Sequence, residues 1–383
     1  MDSQSEPFMP RKPTVSTDTT FLHLSFTLFA VSLIVLSLEV NHAGAQTAKE
    51  IRGVWVHPST FGPEKDAAVA TIRKTLDEYH NSGINTLMVL VKTTSGLVYF
   101  KSSIAQMDTA WKWDFFSVFL EEAQKRKMTV HPWFCVFTEG AQAGPVRQHP
   151  EWLVQSTTME TQGVVNPALE GVREYERSLI LELVRNYPVS WIHLDYIRYP
   201  CEPSEPFFSF DEETRKQFRQ HTGEDPLEIK HKNSGNTLWN EWIEWNGGHV
   251  TKFVRELKAA LKPMKRCVRV SASVFPDADI ARVLIGQDWG RWMREGLIDM
   301  ICPMLYLNND TLLAKYVDRA VKHKIQHVQV CAGVGIVTAH NKNSPAGLVD
   351  QIRLTRRLHA DGYVIFSSGS LTKEYLDALA LLQ

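Results

Sequence analysis

Residues 170–200 read EGVREYERSLILELVRNYPVSWIHLDYIRYP. An amphipathic run over 170–186 leads into a short apolar and aromatic run over 191–196 (WIHLDY), after which the chain turns polar. Helix feeding strand in this way predicts parallel strands joined by crossover helices, because a parallel pair needs a connection long enough to hold a helix. Working outward, the same unit recurs from Arg52 onward. Strands are predicted at 52–57 (RGVWVH), 85–91, 128–136, 191–196, 267–275, 299–307, 327–335 and 362–368, and helices around 65–81, 114–127, 170–186, 239–261, 288–296, 311–324, 346–359 and 371–381. Eight strand–helix units predict a (β/α)₈ TIM barrel over residues 46–383. Asp114 before an apolar-periodic run, Asn81-Ser82-Gly83 closing the first helix and Asp361-Gly362 before the last strand punctuate the pattern.

Two connections are long, 138–169 after the third strand and about 200–238 after the fourth, the latter with its own helical stretch over 211–220. Both follow strands, so both rise on the face where barrel sites are built. The second is read as an excursion from the rim, not as an independent domain.

The first 45 residues differ from the rest. An almost unbroken apolar run, 21–38, is preceded by Arg11-Lys12 and followed by Ala43-Gly44-Ala45. This predicts a secretory signal cut before Gln46, and hence an exported protein, periplasmic or extracellular. The competing reading is a retained anchor in the inner membrane through residues 21–38, since the run approaches the ~20 residues that span a bilayer. Across the whole chain of 383 residues, 42 Lys and Arg stand against 43 Asp and Glu, which removes the basic field that nucleic-acid partners require. At 44% hydrophobic and 22% charged the composition is globular. The five cysteines show no C-x-x-C spacing, and four of them (Cys135, Cys267, Cys302, Cys331) sit in apolar runs as small core residues.

Residues two apart along a strand share a face. Asp195 ends the fourth strand, where a carboxylate has no packing use, and is the leading catalytic candidate. His57, His131, His193 and Tyr306 are predicted to converge with it, together with Trp133, while Arg198 and Tyr199 stand close in sequence. Glycoside hydrolysis needs a second carboxylate. Glu139 past the third strand, Asp277 past the fifth and Asp288 are the candidates, although Asp288 also sits where a helix N-cap is required. Eleven tryptophans, several near strand ends, suit a saccharide cleft because sugar C–H faces pack on indoles; Trp239, Trp242 and Trp245 follow helical spacing and read as core. His57, His131, His193 and Asp195 are also metal-ligand types, but neither an H-x-H on the first strand nor an acid ending the eighth accompanies them, so no metal and no cofactor is predicted.

Arg52-Gly53-Val54-Trp55, His131-Pro132-Trp133-Phe134, the run His193 to Pro200 (HLDYIRYP), Gln287-Asp288-Trp289, Pro303-Met304-Leu305-Tyr306 and Asp361-Gly362 through Ser367 resemble the glycosyl hydrolase-like 10 family. The resemblance implies a TIM-barrel glycosidase fold, an exported bacterial protein and, for some members, cleavage of peptidoglycan glycan strands. It places Asp195 as the matching strand-four acid, with His193, Arg198 and Tyr199 as neighbours, and raises Asp288. The expected function is hydrolysis of a polysaccharide or peptidoglycan glycan strand by two carboxylates, with carbohydrate as the partner. The alternatives are a non-catalytic glycan-binding barrel and a metal-dependent hydrolase of amides or esters.

Overall fold

The computed structural model describes residues 50–140, 144–158, 160–202, 206–325 and 327–383, and of Gln162 the backbone alone. The predicted signal or anchor at 1–45 lies outside the described residues. Ten strands follow in chain order: β1 Ile51–Val56, β2 Thr86–Lys92, β3 Thr129–Cys135, β4 Leu153–Gln155, β5 Thr161–Val165, β6 Trp191–Asp195, β7 Arg269–Val274, β8 Met300–Leu305, β9 Gln329–Gly335 and β10 Gly362–Phe366. Eight close into a barrel in the order β1-β10-β9-β8-β7-β6-β3-β2, every neighbouring pair parallel. The TIM-barrel expectation is met. The β4/β5 pair is an antiparallel hairpin in the long connection after β3, which the sequence reading treated as loop.

The helices are α1 Lys65–Asn81, α2 Phe115–Lys125, α3 Gly144–Gln148, α4 Glu170–Asn186, α5 Glu212–Thr222, α6 Thr237–Leu261, α7 Ala278–Ile285, α8 Trp289–Arg294, α9 Asp310–Lys322, α10 Pro345–Arg357 and α11 Lys373–Ala380. Local chemistry sets their ends. Asp114 accepts the Ser117 amide at 2.9 Å and so satisfies one of the donors that open α2. Gly83 follows α1 at φ +81°, a left-handed conformation that a side chain resists.

The core has two compartments, because each barrel strand is covered on both faces. All seven residues of β2 are buried, which is why the strand reads as an apolar run and not as an alternation. Outward-facing residues such as Val54, Leu87, Phe134 and Ile192 pack beneath the helices, whereas Trp55, Met88, Trp133, Trp191, Met300 and Cys302 fill the barrel interior. Gly333 admits the Trp55 ring, since a Cβ there would sit 2.8 Å from the Pro303 carbonyl oxygen and 3.1 Å from the indole. Trp239 and Trp242 are core, as helical spacing predicted.

The connection after β6 folds back as expected of a rim excursion. Phe208 and Phe210 pack against Trp242, and Asp211 both caps α5 through the Thr214 amide (3.0 Å) and accepts the Asn166 side-chain amide at 2.8 Å. Residues 50–383 make one compact unit. Cys267 departs from the prediction: β7 begins only at Arg269, and the cysteine is exposed.

Candidate functional site

At the C-terminal ends of the strands lies a cavity of about 310 Å³ whose walls include His57, Trp133, Asp195, Arg198, Tyr306 and Phe366. Period-two geometry puts them there: Trp133 and Cys135 on β3, Asp195 at the end of β6, Met304 and Tyr306 at the end of β8, and Phe366 on β10 all point inward. Tyr196 then breaks the strand at φ +48°, turning the chain where Asp195 ends it. Asp195 Oδ1 accepts the Tyr196 amide at 2.7 Å and Arg198 Nη1 at 3.1 Å. The guanidinium of Arg198 lies 4.3 Å from the Tyr196 ring centre and 5.3 Å from that of Phe275, so two rings and a carboxylate fix it. The strand end itself is anchored, since the Val136 amide donates to the Asp195 carbonyl at 2.8 Å and the Phe137 amide to that of Tyr196 at 3.2 Å.

The His57 ring meets Trp133 edge-on at 5.0 Å and Phe366 at 5.9 Å. Burial pulls its pKa below the ordinary histidine value, partly opposed by the negative charge of Asp195. Burial, reinforced by Asp195, pushes the Tyr306 hydroxyl well above the usual tyrosine range. Both side chains are therefore neutral hydrogen-bonding groups at pH 7.

The structure brings together His57, Trp133, Asp195, Arg198 and Tyr306 from the predicted set, and leaves out the others for identifiable reasons. His193 sits two residues below the end of its strand, about 6.6 Å deeper, and His131 four residues below the end of β3, about 13 Å deeper, both sealed inside the barrel. The Trp55 indole N–H, which can only donate, points at His193 Nε2 (3.1 Å). Ser271 Oγ donates to the Ile192 carbonyl (2.9 Å) and stands 2.9 Å from His131 Nδ1 and 3.0 Å from His193 Nδ1. With its proton committed, Ser271 accepts from both rings, so His193 carries hydrogen on Nδ1 and leaves Nε2 to accept. Tyr199 is buried outside the cavity, with its hydroxyl on Asn166 Oδ1 at 3.2 Å.

None of the candidate second carboxylates lines the cavity. Glu139 is fully buried behind the strands, 2.8 Å from the ammonium of Lys92, which also donates to Glu176 at 3.0 Å and to the carbonyls of Cys135, Val136 and Thr138. Asp277 caps α7 and pairs with Arg319 at 2.6 Å; Asp288 caps α8 through the Arg291 amide at 2.9 Å. Among the described residues that line the cavity, Asp195 is the sole carboxylate. The imidazoles that the metal-hydrolase alternative would use are engaged otherwise: Ser271 meets Nδ1 of both His131 and His193, and Trp55 and Ser273 meet His193 Nε2. Among the described residues no group of three or more His, Cys, Asp or Glu is placed to hold a metal ion.

Thr93, Thr94, Tyr196 and Phe366 line the cavity without having been singled out as site residues. Phe366 was legible, two residues beyond Val364 on a predicted strand. The threonines carry no motif and reach the wall only through the loop that follows β2.

The glycosyl hydrolase-like 10 family model matches residues 50–347. Glycosyl hydrolase YngK of Bacillus subtilis is 22% identical over 92% of this chain and 75% of its own length; glycosyl hydrolase DigH of Escherichia coli is 22% identical over 71% of this chain and 69% of its own. Among solved structures, the PgaB (BpsB) glycoside hydrolase domain of Bordetella bronchiseptica aligns with a TM-score of 0.72 at 13% identity, covering 87% of this chain and 98% of that one. An α-L-fucosidase of Paenibacillus thiaminolyticus aligns at 0.62 and 13% identity, over 86% of this chain and 48% of that one. At these identities the structural matches establish the fold. Among the described residues no helix is long and apolar enough to cross a membrane.

Proposed function

The chain belongs to the glycosyl hydrolase-like 10 family, and from that premise we propose that it is an exported enzyme that hydrolyses O-glycosyl bonds of a polysaccharide or peptidoglycan glycan strand, with Asp195 as nucleophile or charge stabiliser beneath the anomeric carbon. The observation that carries this reading is a carboxylate at a barrel strand end, held by a backbone amide and a guanidinium, in a cavity walled by Trp133, Tyr196, Tyr306 and Phe366. Aromatic faces take sugar C–H groups, and the hydroxyls of Thr93, Thr94 and Tyr306 together with the imidazole of His57 take sugar hydroxyls. The transition state of glycoside cleavage is oxocarbenium-like, so a fixed negative charge at the ring stabilises it.

A second reading, a non-catalytic glycan-binding barrel, is favoured by the single carboxylate among the described residues that line the cavity. Retaining and inverting hydrolases place their second carboxyl group about 5–5.5 Å or 6.5–9.5 Å from the first, and Glu139, Asp277 and Asp288 are committed elsewhere. Asp195→Asn separates the two readings. For a hydrolase, release of reducing ends from polysaccharide falls at least about 100-fold while binding stays within a few-fold. A wild-type protein that binds glycan and releases nothing overturns the hydrolase reading.

A further inference from the structure

The cavity holds two charged side chains among its described lining residues, and they form one ion pair. Asp195 and Arg198 meet at 3.1 Å, each mostly buried, and neither is free to swing away. The Tyr196 amide holds the carboxylate, and the rings of Tyr196 and Phe275 flank the guanidinium. His57, a further ionisable group of the wall, is kept neutral by burial. The rest of the wall is apolar or hydroxyl-bearing.

We propose that Arg198 is the charge-specificity determinant of this site: by neutralising Asp195 it makes the cavity select an uncharged pyranose ring over sugars bearing an ammonium or a carboxylate group. The proposal rests on the saccharide reading of the cavity. At about 310 Å³ the volume lies at the lower end of ligand pockets, which start near ~300 Å³, and it accommodates a sugar ring. A charged substituent on that ring would leave water for a site with no unmatched counter-charge. Desolvating a charge without a partner is strongly unfavourable. An ammonium would compete with Arg198 for Asp195, and a carboxylate would compete with Asp195 for Arg198, each against an ion pair already held by ring contacts and a backbone hydrogen bond. An uncharged ring needs neither.

The test is calorimetric titration of the purified chain with the methyl glycosides of glucose and galactose, of their 2-amino-2-deoxy counterparts and of their uronates. Wild-type protein is expected to bind a neutral glycoside at least tenfold more tightly than its charged counterparts. Arg198→Met leaves Asp195 unmatched and shifts the preference at least tenfold toward the amino sugar, whereas Arg198→Lys keeps the wild-type order. Asp195→Asn is the mirror variant, shifting preference toward the uronate; it keeps the test open if Arg198→Met fails to melt cooperatively. A charged glycoside bound as tightly as the neutral one by wild-type protein, or an unchanged order in both charge-removing variants, overturns the proposal. If no glycoside of either series binds wild-type protein, the saccharide reading itself fails.

Discussion

Lys92 shows how one residue can decide where another stands. A register shift between Leu90 and Lys92 takes the ammonium out of the barrel interior and under α4. There it binds the carbonyls of Cys135, Val136 and Thr138, the same segment whose amides anchor Asp195 and Tyr196. Burial alone would lower the Lys92 pKa, but the carboxylates of Glu139 and Glu176 outweigh it and hold it above the ordinary lysine value. Burial pushes Glu176 well above the usual carboxylate range, with Lys92 opposing and Glu139 adding. Lys92→Met leaves these oxygens buried without their cation and is expected to destabilise the fold by about 3–5 kcal/mol in urea titration. The buried histidines make a separate prediction. His193 and His249 are lowered by burial to about 3, and His131 well below 6.5. Below about pH 6.5 the unfolded chain takes up protons that these native imidazoles refuse, so stability falls as pH drops from about 6.5 toward 3. Each contributes a slope of up to about 1.4 kcal/mol per pH unit, measurable as urea stability against pH. Replacing His249 with Gln should remove one such slope.

At the scale of elements, the barrel strands and most helices follow from periodicity, and the departures have local causes. Residues 278–285 form α7, a helix that the sequence reading did not predict. Asp277 accepts the Asp279 and Ile280 amides at 3.1 and 3.2 Å, the chemistry that opens a helix. Asp288 opens α8 in the same way, the competing reading its sequence position already carried. Asp277→Ala and Asp288→Ala are each expected to cost about 1 kcal/mol in melting experiments and to leave glycan binding unchanged. A loss of turnover without loss of stability would instead return either residue to the catalytic set. Asp195 was legible because a carboxylate closing an apolar strand is chemically conspicuous. The placement of His131 and His193 was not, since alternation gives the face of a side chain but not its depth. Depth depends on where each strand begins relative to its neighbours, and that stagger arises only when the barrel closes.

For the whole molecule, residues 50–383 make up one barrel unit, and the family assignment spans most of it. The export expectation belongs to residues 1–45, and a direct measurement checks it. Amino-terminal sequencing of the protein recovered from the periplasm or the medium should begin at Gln46. Intact chain found solely in the membrane fraction would favour the anchor at 21–38 instead. The sequence by itself determined the eight-fold alternation, the strand ends and the one carboxylate that closes the fourth repeat, because each follows from hydrophobic period and local chemistry within a few residues. Tertiary structure alone decided that the Asp195–Arg198 pair meets distant aromatic rings with no second acid among the described residues lining the cavity, and that Glu139 turns to Lys92. Apart from Arg198 and Tyr196, which stand beside Asp195 in sequence, these partners lie dozens of positions away, and they are chosen by barrel stagger and by the cost of leaving a buried charge unmatched.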